Sequence, residues 1–172
     1  MAADIYLKVE GTELQGDSTD SDHPNEIELL SVYQDISQPK SSTSSTAGGH
    51  TAERADFGDV ICTKHMDRPS AKLNVACAAG TVYSKITIKC YRAFGGQAST
   101  SSSKTRINYW TIIGDNAIVS DSEITIAESA LPIHKFALRC SKYTYEYKQH
   151  KIDGTSSSTG VIGWDLAKNV RV

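Results

Sequence analysis

The stretch Gly16–Glu26, GDSTDSDHPNE, gathers Asp17, Asp20, Asp22 and Glu26, an oxygen-rich set of the kind that binds calcium. The register fails. Counted from Asp20, the third ligand position holds Pro24, the turn glycine is Asn25 and the closing glutamate is Ser31. A solvated turn with Asx-type hydrogen bonds is expected instead. GGQASTSSSKT, from Gly95, ends like a phosphate loop, but Ala98 and Ser103 stand where its glycines belong, so the backbone amides cannot wrap a phosphate. A hairpin tip fits better. There is no GxSxG elbow, and His23, His50, His65, His134 and His150 are scattered without a zinc-protease pattern. Glycan hydrolysis needs paired carboxylates. Asp20/Asp22 and Glu26/Glu28 offer pairs, but in loop or strand-edge positions without apolar surroundings to raise a pKa. No catalytic, cofactor or metal site is expected.

Cys62, Cys77, Cys90 and Cys140 form no CxxC pair, and three lie in apolar patterns. They read as reduced core thiols of a protein that folds in the cytoplasm. Tyr143, Tyr145 and Tyr147 line one strand face. Such a row could stack on sugars or rings, but aromatics on one sheet face more often pack against another sheet or subunit. It is therefore a candidate subunit interface.

The elements that must carry these residues are mostly strands. The clearest change of pattern falls at Gly58–Gly80. Val60, Cys62 and Lys64 alternate with Ile61 and Thr63. Asp67 or Arg68 then offers a cap, Pro69 suits the first helical position, and Leu73, Ala76 and Cys77 form one apolar stripe before Gly80 ends the helix. Strands are expected at Ile5–Val9, Glu26–Gln38 (covered on both sides), Val82–Phe94, Ile107–Ile113, Ala117–Ile126, Leu131–His150 and through VIGWDLAKN. Gly114–Asn116 is expected to be a bulge or tight turn, and Asp153–Gly160 a soft loop. Residues 40–54, KSSTSSTAGGHTAER, are too polar to enter a core and form a long loop. The expected fold is mainly β: a two-sheet barrel or sandwich, flanked by one short helix over about residues 69–79, in a single domain over residues 1–172.

The net charge of −2 exerts no general pull on nucleic acid, and the apolar runs are too short to span a membrane. Asp4 and Lys8 stand where a signal peptide needs an apolar core. Export, if it occurs, is expected to use another route.

Several blocks, in order along nearly the whole chain, resemble the Hcp family (haemolysin-coregulated protein) of type VI secretion. They are MAADIYLKVEG, GDSTDSDHPNEIELL, SQP, TKHMDRPSAKL with AC and AG after it, and GVIGWDLAKN. The resemblance implies a two-sheet β-barrel with its helix on the outer flank. It implies a non-enzymatic subunit that forms hexameric rings, stacked into the tube that a contractile sheath on a baseplate expels with a spike at its tip. It also implies a second role, as lumenal receptor or chaperone for effector cargo. The location implied is the cytoplasm before firing and the outside afterwards. Family members carry an extended loop that reaches toward the next ring. Here that loop is Lys40–Arg54, so Lys40, Thr46, Gly48, Gly49, His50, Glu53 and Arg54 are its candidate assembly residues. Gly48 and Gly49 would give it backbone freedom. Some family members carry a fused toxin domain; none is expected within residues 1–172.

Overall fold

A computed structural model describes residues 3–11, 14–39, 54–93, 106–150 and 156–172. The chain is mainly β with one short helix, as the alternation predicts. In order the elements are β1 (Ala3–Val9), β2 (Ile27–Leu29), β3 (Ser31–Tyr33), β4 (Ile36–Ser37), β5 (Asp56–Phe57), β6 (Val60–His65), α1 (Ser70–Ala79), β7 (Val82–Ala93), β8 (Arg106–Thr125), β9 (Ile133–Arg139), β10 (Lys142–His150), β11 (Ser156–Asp165) and β12 (Val170–Arg171). The main path runs β12-β11-β10-β8-β7-β1-β2, and a second arm runs from β8 through β9 and β6 to β3. The two arms form the layers of a sandwich. Among the described residues the strand ladder does not close into a barrel; β2 and β3 are separated by Leu30, whose amide donates to Thr63 O at 2.7 Å.

Period-two patterning builds the core. Ile86, Ile88 and Cys90 of β7 point inward, as do Leu7 and Val9 of β1, Val60 and Cys62 of β6, and Phe136 and Leu138 of β9. Full burial of each large aliphatic or aromatic side chain contributes about 1.5–3 kcal/mol. On α1, Leu73 and Ala76 are buried and Cys77 half-buried, while Lys72 and Asn74 are exposed. Gly80, at φ 63°, supplies the left-handed residue that ends the helix.

Several expectations need correction. Glu26–Gln38 is three short strands, because the chain leaves β1 for β6 at Leu30. Nor is it covered on both sides: Leu30 and Tyr33 are exposed. Gly114–Asn116 is not a turn. β8 runs straight through it, pairing with β10 as far as Asp115 and with β9 from Ile118. The register with β7 stays constant across that point, so there is no bulge there. The single strand expected over Leu131–His150 breaks at Cys140–Ser141, where Ser141 N donates to Asp115 O at 2.9 Å. Pro69 occupies the N-cap rather than the first helical turn, and neither Asp67 nor Arg68 caps the helix. Instead Ser70 Oγ accepts from Asp67 N at 3.1 Å and donates to Asp67 Oδ1 at 3.0 Å. Ser156–Gly160, expected in a soft loop, belongs to β11.

Candidate assembly surfaces

The oxygen-rich N-terminal loop is a packed lock. Asp20 Oδ1 accepts from Asp22 N at 2.8 Å, the expected Asx turn, but Ser18 and His23 are buried. His23 stacks on Tyr6 with centroids 4.3 Å apart, its Nδ1 2.7 Å from Glu26 Oε2 and its Nε2 2.8 Å from Tyr91 OH. Arg106 lies over both Tyr6 and Tyr91, donates to Tyr6 OH at 2.7 Å and pairs with Asp20. Its hydrogen bond holds the Asp20 carboxyl below the usual range. That carboxylate therefore faces a guanidinium, and among the described residues no three metal-ligating side chains converge.

A second polar cluster sits beneath α1. Lys64 and His134 are directly opposite on β6 and β9, and both are wholly buried. Lys64 Nζ pairs with Asp67 and donates to Ser70 Oγ at 2.7 Å. His134 Nε2 is 2.8 Å from Ser122 Oγ, which donates to Asn74 Oδ1 at 2.5 Å. With that hydroxyl proton directed at Asn74, the network assigns the imidazole proton to Nε2. The ring cannot then act as a base on Ser122. The arrangement is structural.

The four cysteines are unpaired thiols. Burial pushes Cys90 up to about 11 and Cys140 up to about 12, so neither is a nucleophile at neutral pH.

The tyrosine row runs from a buried end at Tyr143 to an exposed end at Tyr147. Tyr143 is 1% exposed, and its hydroxyl accepts from Cys140 N at 3.0 Å. Phe57 lies parallel to it, with centroids 5.9 Å apart and planes at 7°, and also stacks on Trp164 at 6.5 Å. Tyr145 is half-buried and donates to Gln34 Oε1 at 2.9 Å. Burial takes its phenol up to about 12. Of the row expected as a candidate subunit interface, Tyr147 is 44% exposed and Tyr145 half-buried, while Phe57 covers Tyr143 from within the same chain.

Phe57 and Gln34 belong to the root of the segment that holds the candidate assembly loop. β4 and β5 form a two-stranded ribbon, Ile36 opposite Phe57 and Ser37 opposite Asp56. Gln34 Nε2 donates to Gly58 O at 3.3 Å, and Gly58 N donates to Asp35 O at 2.8 Å. A Cβ on Gly58 would stand 2.9 Å from that carbonyl, so glycine permits the close approach. Lys40, Thr46, Gly48, Gly49, His50 and Glu53 lie outside the described residues. Arg54 is described: it is exposed and its Nη2 donates to Leu166 O, in the turn after β11.

The same edge carries exposed apolar side chains. Val161, Ile162, Val170 and Val172 are each about half exposed or more. β12 pairs only with Trp164 and Asp165, and Val172 with Gly163. Among the described residues, the outer edge of β11 before Gly163 therefore has no strand beside it, a template for pairing. Separate exposed groups are Val75 in mid-helix with Val82 at the start of β7, and Met66, Ile126 and Leu131 beside the ends of β6, β8 and β9. Sequence reading missed Phe57, Gln34 and this edge; the alternation in GVIGWD was its one available signal.

The structure is thus a two-layer β protein in which Cys62, Cys90 and Cys140 are buried and several groups of apolar side chains are exposed. The family described as "Type VI secretion system effector, Hcp" matches residues 6–147. Protein hcp1 of Pseudomonas aeruginosa is 27% identical over 176 residues, covering 99% of each chain. A solved type six secretion system protein superposes with a TM-score of 0.85 at 21% identity, covering 99% of this chain and 100% of that one. Hcp1 from Salmonella typhimurium gives 0.70 at 21% identity, with both chains fully covered. The chain belongs to the Hcp family of type VI secretion proteins.

Proposed function

We propose that this chain is a structural subunit of the secretion tube and has no catalytic role. Copies close into hexameric rings, rings stack, and the tube leaves the cell with the spike when the sheath contracts. Effector proteins in the lumen would be its cargo. The observation that carries the reading is the Hcp match across residues 6–147. The surface chemistry supports it. A head-to-tail ring needs two different faces per subunit, and the exposed apolar residues fall into separate groups on β11–β12, on α1–β7 and at the β8–β9 end. The β11–β12 edge is the first lateral contact to consider, since it combines apolar side chains with an open strand. Residues 40–54 are the stacking element in this reading, with Lys40, Thr46, Gly48, Gly49, His50, Glu53 and Arg54 as its contact residues.

The test is light scattering with negative-stain imaging of the purified chain. Ring-shaped hexamers are expected, with tubes at higher concentration. A clean monomer at high concentration would overturn the reading. A bulky or charged substitution at Gly48 should leave rings intact and impair tube growth and secretion.

A further inference from the structure

The ribbon that leads into residues 40–53 and the apolar β11–β12 edge share one mount. We infer that a neighbour closing on that edge fixes the ribbon's direction, so that ring closure prepares the chain for stacking. This rests on the tube-subunit reading above.

A ribbon of two residue pairs cannot hold its own geometry in water. Ser37, Ile36 and Asp56 are exposed, so the ribbon's direction depends on its root. The side-chain ties of Phe57, Gln34 and Arg54 reach one side of the sheet, whereas Asp59, just past Gly58, pairs with Arg139 of β9 and accepts from Ser120 Oγ of β8. Phe57 stacks on Tyr143 and Trp164, which face each other across β10 and β11. Gln34 takes the Tyr145 hydroxyl. Arg54 donates to Leu166 O, and Leu166 N in turn donates to Ser141 O at 3.0 Å. The mount is thus the outer half of the β10–β11 pair and the turn after it.

The edge is built on the same residues. Val161 and Ile162 precede Trp164 on β11, and Val170 and Val172 follow the Leu166 turn. Gly163 ties the two sets together. Its amide donates to Val172 O at 3.1 Å, and the Val172 amide returns a bond to Gly163 O at 3.0 Å. A Cβ at Gly163 would meet Tyr143 O at 2.9 Å and Val172 Cγ2 at 3.0 Å. A partner chain that buries Val161, Ile162, Val170 and Val172 would order β11 and its turn, and with them the seats of Phe57 and Arg54. Ordering completed in the ring need not be repeated at stacking, which makes the second association more favourable. Phe57 is a positioning residue here: it acts through the ribbon and not by touching the next ring.

Hydrogen exchange at residues 34–37 and 54–58 tests this, together with tube growth followed by light scattering. Wild-type rings are compared with Val161→Lys chains, expected to stay single, and with Phe57→Ala, Phe57→Tyr and Arg54→Ala. In the wild type and in Phe57→Tyr, exchange at the root should slow about tenfold on ring closure. Phe57→Ala should still form rings, lose that slowing, and grow tubes about tenfold more slowly, the scale set by two lost aromatic stacks. Arg54→Ala, exposed and so harmless to folding, should shift both readouts in the same direction. Equal exchange in wild-type rings and single chains would overturn the inference, as would wild-type tube growth by both Phe57→Ala and Arg54→Ala. If the wild type forms no rings at all, it is the tube reading that fails.

Discussion

His134 and Lys64 face each other across the β6–β9 ladder, both fully buried, and His134 Nδ1 has no hydrogen-bond partner among the described residues. Burial, and then the Lys64 charge, hold the imidazole below its ordinary value of 6.5. The unfolded chain therefore binds this proton more readily than the folded one. Stability from this site is complete above pH 6.5 and falls as pH drops below it. Melting temperature should decline from pH 7 toward pH 5, and His134→Phe should flatten that slope. An unchanged slope in the variant would remove His134 as its source.

Lys64 makes a sharper comparison. Burial lowers its pKa, and Asp67 opposes that shift. Asp67→Ala would leave the ammonium without its counter-charge, a loss on the order of 3–5 kcal/mol. Lys64→Met keeps the apolar stem and removes the charge, so its cost should be under about 1.5 kcal/mol. Urea unfolding of the two variants checks the order. A larger loss for Lys64→Met would mean that the Asp67 carboxylate, 16% exposed, is the costlier partner to leave unpaired.

Gly114 lies where β8, still one continuous strand, is about to exchange its neighbour β10 for β9. A Cβ there would stand 2.3 Å from Cys140 Sγ and 3.0 Å from Ile86 Cγ1. Gly114→Ala should therefore cost about 1–3 kcal/mol by overpacking. Adding Cys140→Ala removes the sulfur and should recover part of that loss. Additive losses in the double-mutant cycle would show that the backbone, and not the thiol, limits the site.

How far the fold was legible follows from the same positions. Period two exposed β1, β6 and β7, and Gly80 marked the helix end, because each depends on nearest neighbours along the chain. Partner exchange leaves no such trace: β8 keeps its alternation while its neighbour changes from β10 to β9. Gly114 and Asn116 signalled an event but not its kind. Phe57 was invisible because a two-residue strand has no period, and its role depends on Tyr143 and Trp164, far away in sequence. Alternation puts Lys64 on the face of Val60 and Cys62, yet its burial is tolerable because Asp67, Ser70 Oγ and the His65 carbonyl take its ammonium protons. The tyrosine row was found as a row; the burial of its Tyr143 end comes from the ribbon root that covers it.

Val161 separates assembly from folding. It is 60% exposed and lies directly across from Glu146, on an edge with no strand beyond it among the described residues. In Val161→Lys the new ammonium would face that carboxylate, a cross-strand pairing that is neutral or slightly favourable. The single chain should therefore unfold within about 0.5 kcal/mol of the wild type, as surface substitutions usually do. A ring contact that buries this side chain would instead have to bury a charge, so rings should be lost. Urea unfolding and light scattering on the same preparation give both quantities. Loss of rings with unchanged stability places the lateral contact on β11–β12. Rings that persist at wild-type concentration would move it to one of the other exposed apolar groups, first to Val75 and Val82 beside α1.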